Sequence, residues 1–171
     1  MYLETERLII RDFTPEDAGD LHEIFGDEET MLNCEPAYTP ERTRQFLTEF
    51  CIGRRGAVAA VLKESGKVIG YILLKALGEN AEEDVYEIGW IFHRAYWRQG
   101  YAYEACPRTM DYAFQELHAH KDMAEAIDGV KSVALMEKLG MKREGVQRSH
   151  TGDNRGGWAD FYLYGLLAEE R

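Results

Sequence analysis

Residues 92–102 have the sequence FHRAYWRQGYA and join two segments with different hydrophobic patterns. The apolar-rich segment 84–93 predicts a strand. Apolar residues then recur every three or four positions over 102–117, which predicts a helix that opens at Gly100. A strand that leads through a short turn into a helix leaves unpaired backbone N–H groups beside the positive end of the helix dipole. The sequence therefore predicts an anion site at this turn, suited to a phosphate or pyrophosphate.

Other nucleotide-binding and metal-binding motifs are absent from the sequence. The turn has too few glycines for the dinucleotide fingerprint G-x-G-x-x-G, and no G-x-x-x-x-G-K-[ST] motif occurs in the chain. Taken alone, a single glycine before a helix is more often structural than ligand-binding. Cys34, Cys51 and Cys106 are odd in number and lack C-x-x-C spacing, so we expect structural thiols and no metal site.

The length and charge of the chain limit the classes of protein to consider. Its 171 residues predict a single domain over residues 1–171. Lys and Arg number 20 against 31 Asp and Glu, and the resulting formal charge of −11 argues against a nucleic-acid partner. An acidic surface suits a cationic acceptor, although solubility alone explains the acidity equally well.

Targeting and membrane signals are also missing. No apolar stretch approaches the roughly 20 residues that cross a bilayer. The first residues, MYLETERLII, lack the basic and then apolar pattern of a secretory signal. We therefore expect a cytoplasmic protein without a membrane partner.

Cap signals and periodicity divide the rest of the chain into strands and helices. Thr14-Pro15 and Thr39-Pro40 each place an N-cap residue before a proline, which is a typical helix start. Pro107 lies inside the long helix, where we expect a kink or a locally opened turn because proline removes a backbone hydrogen bond.

The resulting order of elements is β-α-α-β-β-β-α-β-α-β-β, in the mixed α+β (α/β) class. A hairpin turn is expected at 64–67 and a polar connection at 80–84. The predicted strands are 7–13, 57–63, 68–74, 84–93, 123–127, 141–146 and 159–167, and the predicted helices are about 15–25, 40–50, 100–117 and 131–139.

Several motifs follow one another in a fixed order along the chain. They are EIGW at 87–90, YWRQGYAYEA at 96–105, Ser132 followed by EKLGM at 137–141, and DFYLYGLL at 160–167. In this respect the whole chain resembles the GNAT superfamily of acetyl-CoA-dependent N-acetyltransferases, in particular the branch that includes ribosomal-protein N-terminal acetyltransferases. The resemblance implies a mixed, mostly antiparallel sheet of about seven strands, splayed near its fourth strand and flanked by about four helices.

The resemblance also implies how acetyl-CoA is bound. The pyrophosphate would be held by backbone N–H groups of the turn, and the pantetheine arm would run beside the strand before it. The implied pyrophosphate residues are Arg98, Gln99, Gly100, Tyr101, Ala102 and Tyr103, and the implied arm residues are Trp90, Ile91 and Phe92.

Two side chains match catalytic positions of that superfamily. An amine with a pKa near 8 or 10 arrives mostly protonated, so a base is needed, and Glu87 matches the carboxylate that related enzymes often use. Ser132 matches a serine that can protonate the departing sulfur. The alternatives are a solvated or ion-paired strand residue for Glu87 and a helix-capping residue for Ser132.

The resemblance implies an acceptor cleft bordered by Glu35, Tyr38 and the loop 150–158, with Glu28 and Glu29 as further attractors of a cationic amine. The simpler alternative is that these are solvated loop residues. A protein N-terminus and a small-molecule primary amine both suit the sequence, as do a monomer and a homodimer.

Four residues depart from the usual pattern of the superfamily. Gly129 stands where related sequences usually have Asn, Met136 where many have a tyrosine acid, and Arg98 and Pro107 alter the turn and the helix behind it. These departures leave open a second hypothesis, a non-catalytic module that binds an acyl-CoA or a partner on the same fold.

Overall fold

The computed structural model describes residues 1–78 and 84–171. Most of the polar connection predicted at 80–84 lies outside these residues. The strands are β1 (Tyr2–Glu4), β2 (Leu8–Asp12), β3 (Ala57–Leu62), β4 (Val68–Ala76), β5 (Val85–Phe92), β6 (Lys121–Ala126), β7 (Lys142–Gly152) and β8 (Trp158–Leu167). The α-helices are α1 (Ala18–Phe25), α2 (Pro40–Phe46), α3 (Tyr101–Gln115) and α4 (Lys131–Lys138), and a π-helical segment (Leu47–Gly53) continues α2.

The strands form one sheet in the order β1-β2-β3-β4-β5-β6-β8-β7. Among these eight strands, β5 and β6 run parallel and every other neighbouring pair is antiparallel. The mixed, mostly antiparallel sheet with four α-helices is thus confirmed. The predicted order lacked β1, a short edge strand whose residues Tyr2 and Glu4 pair with Arg11 and Ile9.

The parallel pair opens after three residues. Val85, Tyr86 and Glu87 pair with Lys121, Asp122 and Met123, and beyond Glu87 no described residue continues the pairing on that side of β5. The other edge of β5 stays bonded to β4 as far as Phe92, which lies opposite Gly70. The sheet therefore divides from Ile88 onward, at the strand where the splay was expected.

Two cores cover the two faces of the sheet. On one face, α3 and α4 bury Cys106, Met110 and Met136 against the strands. On the other, α1 and α2 bury a cluster that includes the aromatic residues Phe25, Tyr38 and Tyr71. Each face of the divided sheet is thus supported by its own pair of helices, so the gap does not expose a core.

Local signals account for several helix ends. Thr39 Oγ1 accepts a hydrogen bond of 3.2 Å from the N–H of Arg42 at the start of α2. Gly140 adopts a φ of 86° just after α4, which favours glycine. Helix α3 runs unbroken through Pro107, so the opened turn expected there does not form.

Two further expectations concern cysteines and membranes. Cys34, Cys51 and Cys106 are free thiols. Within residues 1–78 and 84–171, no helix combines the length and the apolar character that crossing a membrane requires.

Asp122 on β6 is a buried carboxylate without a partner. Its exposed fraction is 0%, and neither carboxylate oxygen is hydrogen-bonded within the described ranges. Burial raises its pKa to about 7, against a smaller lowering by Arg171. In the unfolded chain the carboxyl ionises near pH 4, whereas in the folded protein it stays protonated to about pH 7. The free energy of unfolding therefore falls as the pH rises from about 4 to 7.

Replacing Asp122 by Asn should therefore stabilise the protein above neutral pH and do little near pH 4. The full difference between the two pKa values corresponds to at most about 4 kcal/mol, so we expect the melting temperature to rise by several degrees at pH 8. Circular dichroism melts at the two pH values measure this, with the exposed turn residue Glu64→Gln as control. An Asp122→Asn variant that is less stable than the parent at pH 8 would contradict the interpretation.

Candidate functional site

The turn between β5 and α3 presents a row of free backbone donors. The N–H groups of residues 98–103 donate to no acceptor in the part of the chain that the structure describes, whereas the N–H of Glu104 bonds to Gly100 O at 2.9 Å. Arg98 and Gly100 adopt left-handed conformations, with φ of 59° and 84°. Consecutive unpaired N–H groups at such a turn are chemically suited to an anion, and they lie in the segment for which the sequence predicts an anion site.

A cluster around Glu104 holds this turn in place. Arg7 Nη1 donates to Gln99 O at 3.0 Å, and Arg7 Nε donates to Glu104 Oε2 at 2.7 Å. Thr5 Oγ1 donates to Glu104 Oε1 at 2.5 Å, and the Arg7 guanidinium lies 4.1 Å above the Tyr101 ring. Burial raises the pKa of Glu104, but the hydrogen bonds from Thr5 and Arg7 outweigh it and keep the pKa below its usual value.

Cations without acidic partners surround the turn. Among the described residues, Arg98, Lys131 and Lys138 form no ion pair. Lys131 Nζ lies 5.3 Å from the centre of the Trp97 ring, and Lys138 Nζ lies 3.8 Å from that of Tyr103. The chain as a whole has a net charge of −11, so three cations without acidic partners form a local exception. Their charge suits a ligand with several phosphates.

The three predicted arm residues lie along the divided part of β5. Trp90 and Phe92 pack on the core beneath α3, and Ile91 packs on the opposite core. The ring of Phe92 covers Gly70, since a Cβ there would lie 2.4 Å from Phe92 Cε1. This strand therefore offers a ligand its backbone edge more than its side chains.

Glu87 lies at the bottom of the gap, as the last residue of β5 that pairs with β6. Its side chain is 23% exposed, and Lys75 Nζ approaches Glu87 Oε2 only to 3.9 Å. Glu125 on β6 is a second carboxylate nearby, not singled out from the sequence. Burial raises the pKa of Glu125, the charge of Glu87 raises it further, and Lys75 and His150 oppose the rise.

The acceptor residues predicted from the sequence lie on the α1 and α2 face. Tyr38 Oη donates to Glu35 Oε2 at 3.1 Å, and Arg42 Nη2 donates to the same oxygen at 2.6 Å. Glu35 is therefore paired and less available to a cationic ligand than expected. Tyr71, which the sequence analysis missed, joins this group: burial raises its pKa, and the charges of Glu87 and Glu35 add to the rise.

The predicted loop 150–158 is shorter in the structure, because β7 extends to Gly152 and β8 begins at Trp158. The remaining loop, 153–157, reaches across the acceptor face. Asn154 Nδ2 donates to Met31 O at 3.1 Å, which joins the β7–β8 loop to the segment between α1 and α2. Glu29 is bound to Arg94 at 2.6 Å, so its charge is also compensated.

Ser132 is the second residue of α4, beyond Val130 at the cap position. Its hydroxyl has no partner in the described residues and is partly exposed. The capping role considered for it belongs instead to Asp128, whose Oδ1 accepts hydrogen bonds of 2.8 Å from the N–H groups of Val130 and Lys131. Asp128 just before an apolar-periodic segment was a usable sequence signal for this cap.

Comparison with known proteins places the chain among acetyltransferases. Residues 7–142 match the family described as acetyltransferase (GNAT) domain. The N-acetyltransferase YnaD of Bacillus subtilis is 31% identical over 99% of both chains. A GNAT-family acetyltransferase structure from Bacillus anthracis is 32% identical, with a TM-score of 0.89 over 99% of this chain and 100% of that one.

A more distant structure shares the fold. The ribosomal-protein-S5-alanine acetyltransferase of Vibrio fischeri has a TM-score of 0.84 over 99% of this chain and 98% of its own, at 22% identity.

The Glu104 cluster predicts a loss of stability on truncation. The backbone N–H of Arg7 also donates to Glu104 Oε1, at 2.7 Å. Glu104→Ala therefore leaves this N–H, the Thr5 hydroxyl and the Arg7 guanidinium without their acceptor, and we expect the free energy of unfolding to fall by about 1–3 kcal/mol. Urea denaturation measures the change. The control is Glu41→Ala, which removes an ion pair with Arg44 at a side chain that is 77% exposed and should have little effect. Equal losses in the two variants would contradict a structural role for the cluster.

Proposed function

The chain belongs to the acetyltransferase (GNAT) domain family, and on that premise we propose that it transfers the acetyl group of acetyl-CoA to a primary amine by direct attack on the thioester. The observation that carries the proposal is the row of free N–H groups at 98–103, which follows the part of β5 that is unpaired with β6. A pyrophosphate at this row and an extended arm in the adjacent gap would use both features at once.

The residues around the gap fit coenzyme A. Its phosphates would meet the N–H groups of the turn together with Arg98 and Lys131, neither of which forms an ion pair in the described part of the chain. Its pantetheine amides would pair with the free edge of β5 from Ile88 to Phe92, as the edge of a neighbouring strand does. An N–H on this edge is also suited to stabilise negative charge on the thioester oxygen.

Glu87 is the proposed base. The ammonium form of an amine lacks the lone pair needed for attack, so one proton must leave the nitrogen before or during the reaction. Glu87 lies at the bottom of the gap on the acceptor face, with Lys75 too distant for a strong ion pair. Its carboxylate accepts that proton directly or through a water molecule, which typically contributes about 10²- to 10⁴-fold to the rate.

The departing thiolate must gain a proton. Ser132 is the proposed donor, since its hydroxyl is partly exposed near the start of α4 and has no partner among the described residues. The free hydroxyl, released from a capping role by Asp128, supports this assignment. Solvent then restores the proton to the serine oxygen.

The acceptor is proposed to bind between Tyr38, Tyr71 and the loop 153–157 that joins β7 to β8. The neighbouring carboxylates Glu87 and Glu125 would attract a cationic amine there. Lys75 compensates their charge only in part, since its Nζ stays 3.9 Å from Glu87. Both a protein N-terminus and a small-molecule amine meet this requirement. The name of the Vibrio fischeri structure, a ribosomal-protein-S5-alanine acetyltransferase, supports including protein N-termini in an acceptor screen.

Glu87→Gln tests the proposed base. Loss of the carboxylate should lower turnover by about 10²- to 10⁴-fold, while the affinity for acetyl-CoA measured by calorimetry stays unchanged. Raising the pH should recover part of the rate, because a larger fraction of the amine is then neutral. Glu144→Gln on β7 is a matched control that should keep full activity. Unchanged turnover in Glu87→Gln would show that another group takes the proton.

Arg98→Ala tests the phosphate site. The KM for acetyl-CoA should rise about three- to tenfold through loss of one charge-assisted contact, and the effect should shrink as salt is added because the charges are screened. Arg44→Ala, at an exposed position on α2, serves as the control. A wild-type protein that binds no acetyl-CoA at millimolar concentration would refute the proposed function itself.

A further inference from the structure

A tyrosine on β8 reaches the start of α4. Tyr162 lies opposite Ala126, the last residue of β6, and opposite Val146 on β7. A Cβ built on Gly129 would lie 2.7 Å from Tyr162 Oη and 2.9 Å from Tyr162 Cζ. The hydroxyl end of the ring thus occupies the space where a side chain at position 129 would begin.

This contact explains the glycine at position 129. Gly129 does not belong to the glycines with positive φ, so its backbone conformation is one that other residues can adopt. The relevant property is the missing side chain, because a Cβ would displace the hydroxyl end of the tyrosine ring. Gly129 and Tyr162 therefore form one matched pair.

The hydroxyl of Tyr162 is unused in the protein itself. In the ranges that the structure describes it forms no hydrogen bond, although the ring is partly buried against the core under α3 and α4. Tyr164, two residues along on the same face, differs because its hydroxyl donates to Glu137 Oε1 at 2.9 Å. Its oxygen is not among the buried side-chain atoms that lack a partner, so it is accessible to a bound ligand, and a phenol hydroxyl can donate a hydrogen bond to it.

The position of this hydroxyl matches the divided part of the sheet. Ala126 ends the strand that forms one side of the gap, and the free edge of β5 forms the other side. Tyr162 Oη extends from the Ala126 side to the turn at Gly129, just before α4. A ligand in the gap would therefore find backbone groups on one side and this phenol on the other.

We propose that Tyr162 is a positioning residue whose hydroxyl donates a hydrogen bond to an amide carbonyl of the pantetheine arm. The inference rests on the proposed function, since it assumes that acetyl-CoA binds in the gap between β5 and β6. Tyr162 fixes the arm from the β6 side while the edge of β5 pairs with it from the other. It binds the arm and takes no part in proton transfer.

Calorimetric titration with two ligands tests the contact. Acetyl-CoA contains the arm, and adenosine 3′,5′-bisphosphate is its nucleotide end without the arm. Tyr162→Phe should weaken acetyl-CoA binding about three- to tenfold, the usual effect of one neutral hydrogen bond, and leave bisphosphate binding unchanged. Tyr164→Phe, the matched control, should change neither affinity.

A double-mutant cycle tests whether Gly129 acts through the tyrosine. Gly129→Ala should displace the hydroxyl and weaken acetyl-CoA binding to a similar extent. In the Tyr162→Phe background, Gly129→Ala should reduce the affinity for acetyl-CoA clearly less, because the contact through the hydroxyl is already lost. Additive losses would indicate that Gly129 and Tyr162 act independently.

Steady-state kinetics separate positioning from chemistry. For Tyr162→Phe, the KM for acetyl-CoA should rise while kcat and its pH profile stay as in the wild type. Any of three results would overturn the inference: a fall in kcat with a displaced pH profile, an equal loss of affinity for both ligands, or an unchanged affinity for acetyl-CoA. Wild-type protein that binds neither ligand would instead refute the proposed function, so the two failures are distinguishable.

Discussion

The short parallel pairing of β5 and β6 is the constraint on which the site depends. Three residue pairs hold the two strands together, after which they diverge toward the starts of α3 and α4. Parallel neighbours require a crossover, and α3 supplies it, so the gap lies directly beside a helix N-terminus with free N–H groups. The same divergence gives β5 an edge that can pair with an extended ligand. Glu87 marks the point where pairing ends, and this places its carboxylate at the bottom of the gap.

A divided sheet is stable here because the two halves are supported separately. Phe25, Tyr38 and Tyr71 pack under α1 and α2 on one face, and Met110 and Met136 pack beneath α3 and α4 on the other. Neither core relies on ladder hydrogen bonds across the gap. Burial of apolar surface is non-directional, so it stabilises the fold even where the hydrogen bonds between two strands are interrupted. A sheet held together by strand pairing alone would be weakened at such a gap.

Local patterns in the sequence were sufficient for most elements and for the turn at 98–103, because periodicity, caps and a strand–turn–helix junction are short-range properties. The misses are long-range. Strand β1 has three residues, too few for a pattern, and forms only by pairing with β2. Arg7 and Glu104 are 97 positions apart, and the fit of Tyr162 against Gly129 depends on strand order. Pro107 opens no turn in α3, because packing of the helix on the sheet outweighs one lost backbone hydrogen bond.

The anchoring of the turn by Thr5 and Arg7 has a thermodynamic consequence for the N-terminal strands. These residues connect β1 to β2, and their bonds to Glu104 and Gln99 O form only when that connection is docked against α3. If docking of this connection increases the affinity of the turn for a ligand, then binding of that ligand must stabilise the docked state by the same free energy. A ligand bound at the turn would therefore also stabilise the attachment of β1 and β2 to α3, although these strands lie at the far edge of the sheet.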